Sequence, residues 1–163
     1  RAFPGNPGKT AVSTGNWHTQ AEHISEEPGI RNKMVEKFQE KIPHILEDLK
    51  PPKRYGSKNS DSTIITWGST WGAVNEAVLQ LNEEGNSIAH LHFCDIYPLR
   101  VHELKKEFEK TESLISIEQN ATSQFARLVA METGLQPDIY INKYDGRPMT
   151  PEWVIRKLKE GHI

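Results

Sequence analysis

The sequence predicts an α/β layer fold, and three observations carry that prediction. Residues 62–72, read S-T-I-I-T-W-G-S-T-W-G, pass from a β-branched apolar run into Gly68-Ser69 and then into a helical pattern. The same rhythm of strand and helix repeats to the C-terminus. The strands are short and almost continuously apolar, as in Leu114-Ile115-Ser116-Ile117, which suits a sheet covered on both faces. Strands separated by helices imply parallel pairing with right-handed crossovers, because a short hairpin cannot join parallel neighbours.

The elements follow in order. Residues 1–29 are rich in Gly, Pro, Asn, Thr and Ser and read as an extended arm, with a short strand expected over 11–13. Residues 30–61 read as a helix and a linker. Ile30, Met34, Phe38, Ile42, Ile45 and Leu49 fall on one helical face. Pro43 interrupts that face, and a proline inside a helix loses a backbone hydrogen bond, so a kink or break is expected there. Pro51-Pro52 stops the helix, and 54–61 is a polar linker.

Residues 62–163 carry the α/β pattern. A strand over 63–67 leads to a helix over 70–84, whose apolar face is Ala73, Val74, Ala77, Val78 and Leu81 and whose stop is Gly85. A strand over 88–93 precedes a helix over 101–110, with Leu104 and Phe108 four apart. A strand over 114–118, a helix over 123–133 ending at Gly134, a strand over 139–142 and a helix over 151–159 complete the chain. Thr150 suits the cap of the last helix, Pro151 its first turn, and Glu152 its dipole.

Composition narrows the function classes. The chain has 163 residues, 36% hydrophobic and 26% charged, which suits one globular domain with a modest core. Its net charge of -2 offers no basic field for nucleic acid or an anionic membrane. No apolar run approaches the ~20 residues of a membrane span, and the first residues do not read as a secretory signal. Cys94 is the single cysteine, so neither an internal disulfide nor a thiolate-held iron–sulfur cluster is available. These features place the chain in a reducing cytoplasm, with Cys94 expected as a buried, inert thiol.

Motifs for self-contained chemistry are absent. No dinucleotide fingerprint, P-loop or nucleophile elbow occurs, and no residue is assigned a catalytic role. Gly68, Ser69 and Thr70 have two readings: an anion site at a helix start, or capping and close packing. Ligands in open parallel sheets favour the crevice beyond the strands' carboxyl ends. That edge collects Ser69, Asp95, Glu118 and Asn120, read either as a polar surface facing a partner or as turn and cap chemistry. His90 and His92 share one face of a strand, but no third ligand is fixed, so no metal site is assigned. Trp67 is expected in the core and Trp71 at a core or an interface.

Several motifs together resemble the C-terminal region of the alpha subunit of 2-oxoacid:ferredoxin oxidoreductases, especially the 2-oxoglutarate type. Residues 15–31 resemble the family's Gly-x-Glu-His-rich segment, and Asn32-Lys33-Met34-Val35-Glu36-Lys37 its Met-Val-x-Lys-Arg helix start. Thr66-Trp67-Gly68-Ser69 matches its strand–Gly–Ser turn, Glu118-Gln119-Asn120 its Glu-x-Asn element, and Tyr144-Asp145-Gly146-Arg147-Pro148 its tail. Trp17-His18-Thr19-Gln20 departs from the acidic residues that often follow Glu-His in the family.

The resemblance implies a transketolase C-terminal-like domain of three α/β/α layers. Its sheet would hold about five strands, mostly parallel, with the first antiparallel and supplied by the arm near 11–13. It further implies a complex that oxidatively decarboxylates a 2-oxoacid to an acyl-CoA and reduces ferredoxin. That complex would use thiamine diphosphate, magnesium, an iron–sulfur cluster and coenzyme A. None of these groups maps onto residues of this segment, whose expected work is assembly beside the rest of the alpha subunit and a thiamine-binding beta subunit. Two alternatives stand. One is the equivalent domain of another thiamine enzyme, a transketolase-like synthase or a 2-oxoacid dehydrogenase beta chain, against which the Tyr144–Pro148 tail argues. The other is a free-standing anion- or nucleotide-binding module using Ser69 and Asn120.

Overall fold

The computed structural model describes residues 3, 5–8, 14–21 and 23–160, which divide into two compact units with a boundary between Glu47 and Asp48. The strand expected over 11–13 lies outside the described residues.

In the first unit, His18 and Ile24 form an antiparallel bridge, closed by bonds from the Thr19 N–H to the His23 carbonyl and from the Ser25 N–H to the Trp17 carbonyl. Helix α1, Pro28–Asp48, follows with Pro28 in its first turn, where a missing N–H costs nothing. Trp17 lies 5.4 Å from Phe38 of α1, and the Arg31 guanidinium lies 5.7 Å from the Trp17 ring. The helix is not broken at Pro43. No residue of α1 is buried, so a carbonyl left without its N–H partner at Pro43 stays close to water. Phe38 and Ile45, read as members of the apolar face, are exposed.

The second unit is a five-stranded sheet in the order β1-β3-β2-β4-β5. The strands are β1 (Lys53–Gly56), β2 (Ser60–Trp67), β3 (Ile88–Phe93), β4 (Thr111–Glu118) and β5 (Ile139–Asn142). Helices α2 (Trp71–Glu83), α3 (Val101–Phe108), α4 (Gln124–Thr133) and α5 (Pro151–Lys159) connect and close it. Pairing is parallel except between β1 and β3. The antiparallel strand of the described sheet is Lys53–Gly56, inside the stretch read as a linker. Lys, Arg and Gly in a four-residue segment carry no strand periodicity, but charge is what a short edge strand tolerates.

Alternation along the central strand divides the core. Ile64 of β2, with Ile88, Ile115, Ile117 and Ile141, packs under Val74, Ala77, Val78 and Leu81 of α2 and Val154 and Leu158 of α5. Ile65, with Leu91, Phe93 and Leu114, packs under Leu104 and Phe108 of α3 and Phe125 and Val129 of α4. Both Ile64 and Ile65 are fully buried, which explains the unbroken apolar run. At the start of α5 the Thr150 hydroxyl accepts the Trp153 N–H at 3.3 Å, the cap the sequence implies.

Candidate functional site

The sheet order places the candidate residues. Strand β2 feeds α2 on one face and its neighbour β4 feeds α4 on the other, so the crevice of an open sheet falls between the carboxyl ends of these two strands. Trp67 ends β2 and Glu118 ends β4. Gly68, Ser69 and Thr70 form a single 3-10 turn beyond β2.

Glu118 is fully buried, and its carboxylate is saturated. Oε2 accepts the Trp67 indole N–H at 3.2 Å, the Asn120 amide at 2.6 Å and the Phe125 N–H at 3.0 Å. Oε1 accepts the Ser116 hydroxyl at 3.3 Å and the Ala126 N–H at 2.8 Å. A carboxylate offers about four lone-pair positions, so five donors leave no position for a metal or a substrate proton. Two of those donors are orphan N–H groups of the first turn of α4, where negative charge is favoured. Asn120 completes the cap: its Oδ1 accepts the Thr122 N–H at 3.1 Å and the Gln124 N–H at 3.3 Å. Ser123, left-handed at φ 51, does not cap α4 itself and instead exchanges hydrogen bonds with the Asn142 amide.

On the β2 side, the Thr70 hydroxyl donates to the Trp67 carbonyl at 2.7 Å and is not a cap acceptor for α2. Ser69 is exposed and makes no hydrogen bond to Glu118 or Asn120 among the described residues. The structure thus unites Glu118 and Asn120 through α4 and leaves Gly68 and Ser69 at the surface. Trp67 and Ser116 were not singled out as partners of Glu118, nor Asn142 as the partner of Ser123. The spacing of Ser116 and Glu118 on one strand face was the available signal for one of them.

His90 and His92 lie on the opposite face. The Thr66 Oγ1 contacts His90 Nε2 at 2.6 Å and His92 Nδ1 at 2.9 Å, and His90 Nδ1 is buried without a partner. Burial, then the nearby His92, push the His90 pKa down to about 3. Burial, then Lys53, lower that of His92. Tyr55 of β1 stacks 5.7 Å from His90 and 6.0 Å from Trp71. No group of three His, Cys, Asp or Glu side chains that would hold a metal occurs among the described residues. Cys94 is exposed, against the expectation of burial; it lies one residue beyond the end of β3. With one cysteine, this chain by itself cannot supply the several thiolates of an iron–sulfur cluster.

The fold defines a class: a five-stranded α/β domain with a mixed, mostly parallel sheet. A split-gene transketolase chain matches at a TM-score of 0.53 and 17% identity, over 69% of this chain and 42% of that one, which speaks for the fold alone. No protein-family model matches the chain. An alpha subunit of 2-oxoacid:ferredoxin oxidoreductase from Aeropyrum pernix is 34% identical in a gapped alignment of 155 positions that covers 91% of this chain and 23% of that subunit. One from Sulfurisphaera tokodaii is 32% identical in a gapped alignment of 168 positions that covers 99% of this chain and 26% of the subunit. The 2-oxoglutarate:ferredoxin oxidoreductase of Magnetococcus marinus, solved with 2-oxoglutarate, coenzyme A and succinyl-CoA bound, matches at a TM-score of 0.78 and 29% identity. That match covers 98% of this chain and 28% of that one. The chain belongs to the 2-oxoacid:ferredoxin oxidoreductase alpha-subunit family, and it spans about a quarter of the length of the curated relatives it matches. Among the described residues no helix is long and apolar enough to cross a membrane.

Proposed function

We propose that this chain is a non-catalytic, assembling domain of the alpha subunit of a thiamine diphosphate-dependent 2-oxoacid:ferredoxin oxidoreductase. The observation that carries the reading is the match to the Magnetococcus marinus enzyme across 98% of this chain at a TM-score of 0.78. The saturated Glu118 carboxylate supports it, because this acidic group in the sheet's crevice is committed to holding α4. In this reading thiamine diphosphate, magnesium and the iron–sulfur cluster sit on the other alpha-subunit domains and a beta subunit, and electrons pass to ferredoxin. The domain orients those parts through its carboxyl edge, where Gly68 and Ser69 are exposed and Trp71 is 42% exposed.

The test is reconstitution. The chain alone is expected neither to bind thiamine diphosphate in calorimetry nor to reduce a ferredoxin with 2-oxoglutarate and coenzyme A. Co-production with the remaining alpha-subunit domains and a beta subunit is expected to yield a complex that does both. Saturable thiamine diphosphate binding by the isolated chain would overturn the reading.

A further inference from the structure

The first unit contains a groove of about 510 Å³ that the assembly role does not use. One wall is the bridged segment with His18 and Thr19, and the floor is helix α1 with Ile30 and Met34. Lys33 and Lys37 line it one helical turn apart. Like charges four residues apart on a helix repel, and neither ammonium has an ion-pair partner among the described residues. No described lining residue is acidic. The Thr19 hydroxyl is buried in this wall without a hydrogen-bond partner among the described residues. The segment is held in place by the Trp17–Phe38 contact and by Arg31 over Trp17, so the wall is anchored to the helix that carries the lysines.

We propose that this groove binds an organic phosphate, with the phosphoryl oxygens on Lys33 and Lys37 and the apolar body on Ile30 and Met34. A phosphate monoester carries a charge of about -1.5 to -2 at neutral pH, which two ammonium groups match, whereas a carboxylate carries a single charge. Lysine serves phosphate as a point charge and needs no planar pairing. The inference is independent of the oxidoreductase reading, and its failure would leave that reading untouched.

The test is a titration of the whole 163-residue chain with hexyl phosphate, followed by the NMR signals of the Met34 methyl and the lysine side chains. Inorganic phosphate and hexanoate are the comparison probes, the first lacking the apolar body and the second the dianion. Saturable binding of hexyl phosphate is expected, with both comparison probes weaker. The double variant K33Q/K37Q is expected to bind at least about tenfold more weakly. Lys41→Gln is expected to bind like the native chain, because Lys41 sits on the same helix over Phe38 and does not line the groove. Unchanged circular dichroism of the double variant separates lost binding from lost folding. Equal binding by the native chain and K33Q/K37Q, equal losses in Lys41→Gln, or hexanoate binding as tightly as hexyl phosphate would each overturn the proposal.

Discussion

Glu118 shows how a single residue type can be misread without its neighbours. A glutamate at a strand end beside a helix start suits acid–base work or an interface equally well on paper. Here it is a cap buried under a helix, and Glu118→Ala would strand the Phe125 and Ala126 N–H groups and the Trp67 indole. Buried donors left unsatisfied cost roughly 1–3 kcal/mol each, with partial relief by water, so we expect a loss of about 3 kcal/mol in urea unfolding. An unchanged midpoint would show that α4 does not depend on the carboxylate. His90 gives the pH counterpart. Its folded pKa of about 3 lies far below its ordinary value of 6.5, so the folded state holds it neutral. Below the ordinary value the unfolded chain binds a proton that the folded chain refuses. The stability His90 contributes is therefore complete above pH 6.5 and falls as pH drops toward 3. Replacing it with Phe keeps a ring against Tyr55 and removes the titration. The native chain should lose more melting temperature than H90F between pH 7 and pH 4, and parallel losses in the two would contradict the assignment.

At the scale of elements, β1 carries the clearest lesson. Its four residues close the sheet edge by pairing Lys53 with His92 through Gly56 with Ala89. Gly56 sits at φ +83, and a Cβ there would lie 2.6 Å from the Ile88 carbonyl oxygen, a backbone atom that cannot step aside. Gly56→Ala should cost about 2 kcal/mol from strain and lost edge pairing, read as a lower thermal midpoint. A midpoint equal to native would mean that β1 is not held in this register. The helices and the four parallel strands were legible because each carries its own periodicity, and α5 also carries its cap. β1 was not, since an edge strand needs only backbone pairing and its side chains stay polar. The same holds for α1: an interior proline signals a break, yet an exposed helix can leave one carbonyl to water and continue.

Across the whole molecule, the proposed role is that of one part of a larger assembly. The chain's two cores lie on opposite faces of the sheet, no group of three His, Cys, Asp or Glu side chains that would hold a metal occurs among the described residues, and the relatives it matches are about four times longer. Deleting this domain from a full alpha subunit should abolish the assembled oxidoreductase without altering the folding of the parts left behind, as read by size-exclusion mass. A deleted enzyme that still assembles with full turnover would remove the orienting role. Residue order alone determined the strand–helix alternation, the parallel pairing and the lack of thiolates, because periodicity, capping and composition are properties of neighbouring residues. Only the tertiary structure decided which strand closes the edge, that Glu118 is spent on α4, and that two histidines lie buried and neutral. Those outcomes depend on partners far apart in the chain, such as Trp67 and Glu118, 51 positions apart, and no local pattern encodes such a pairing.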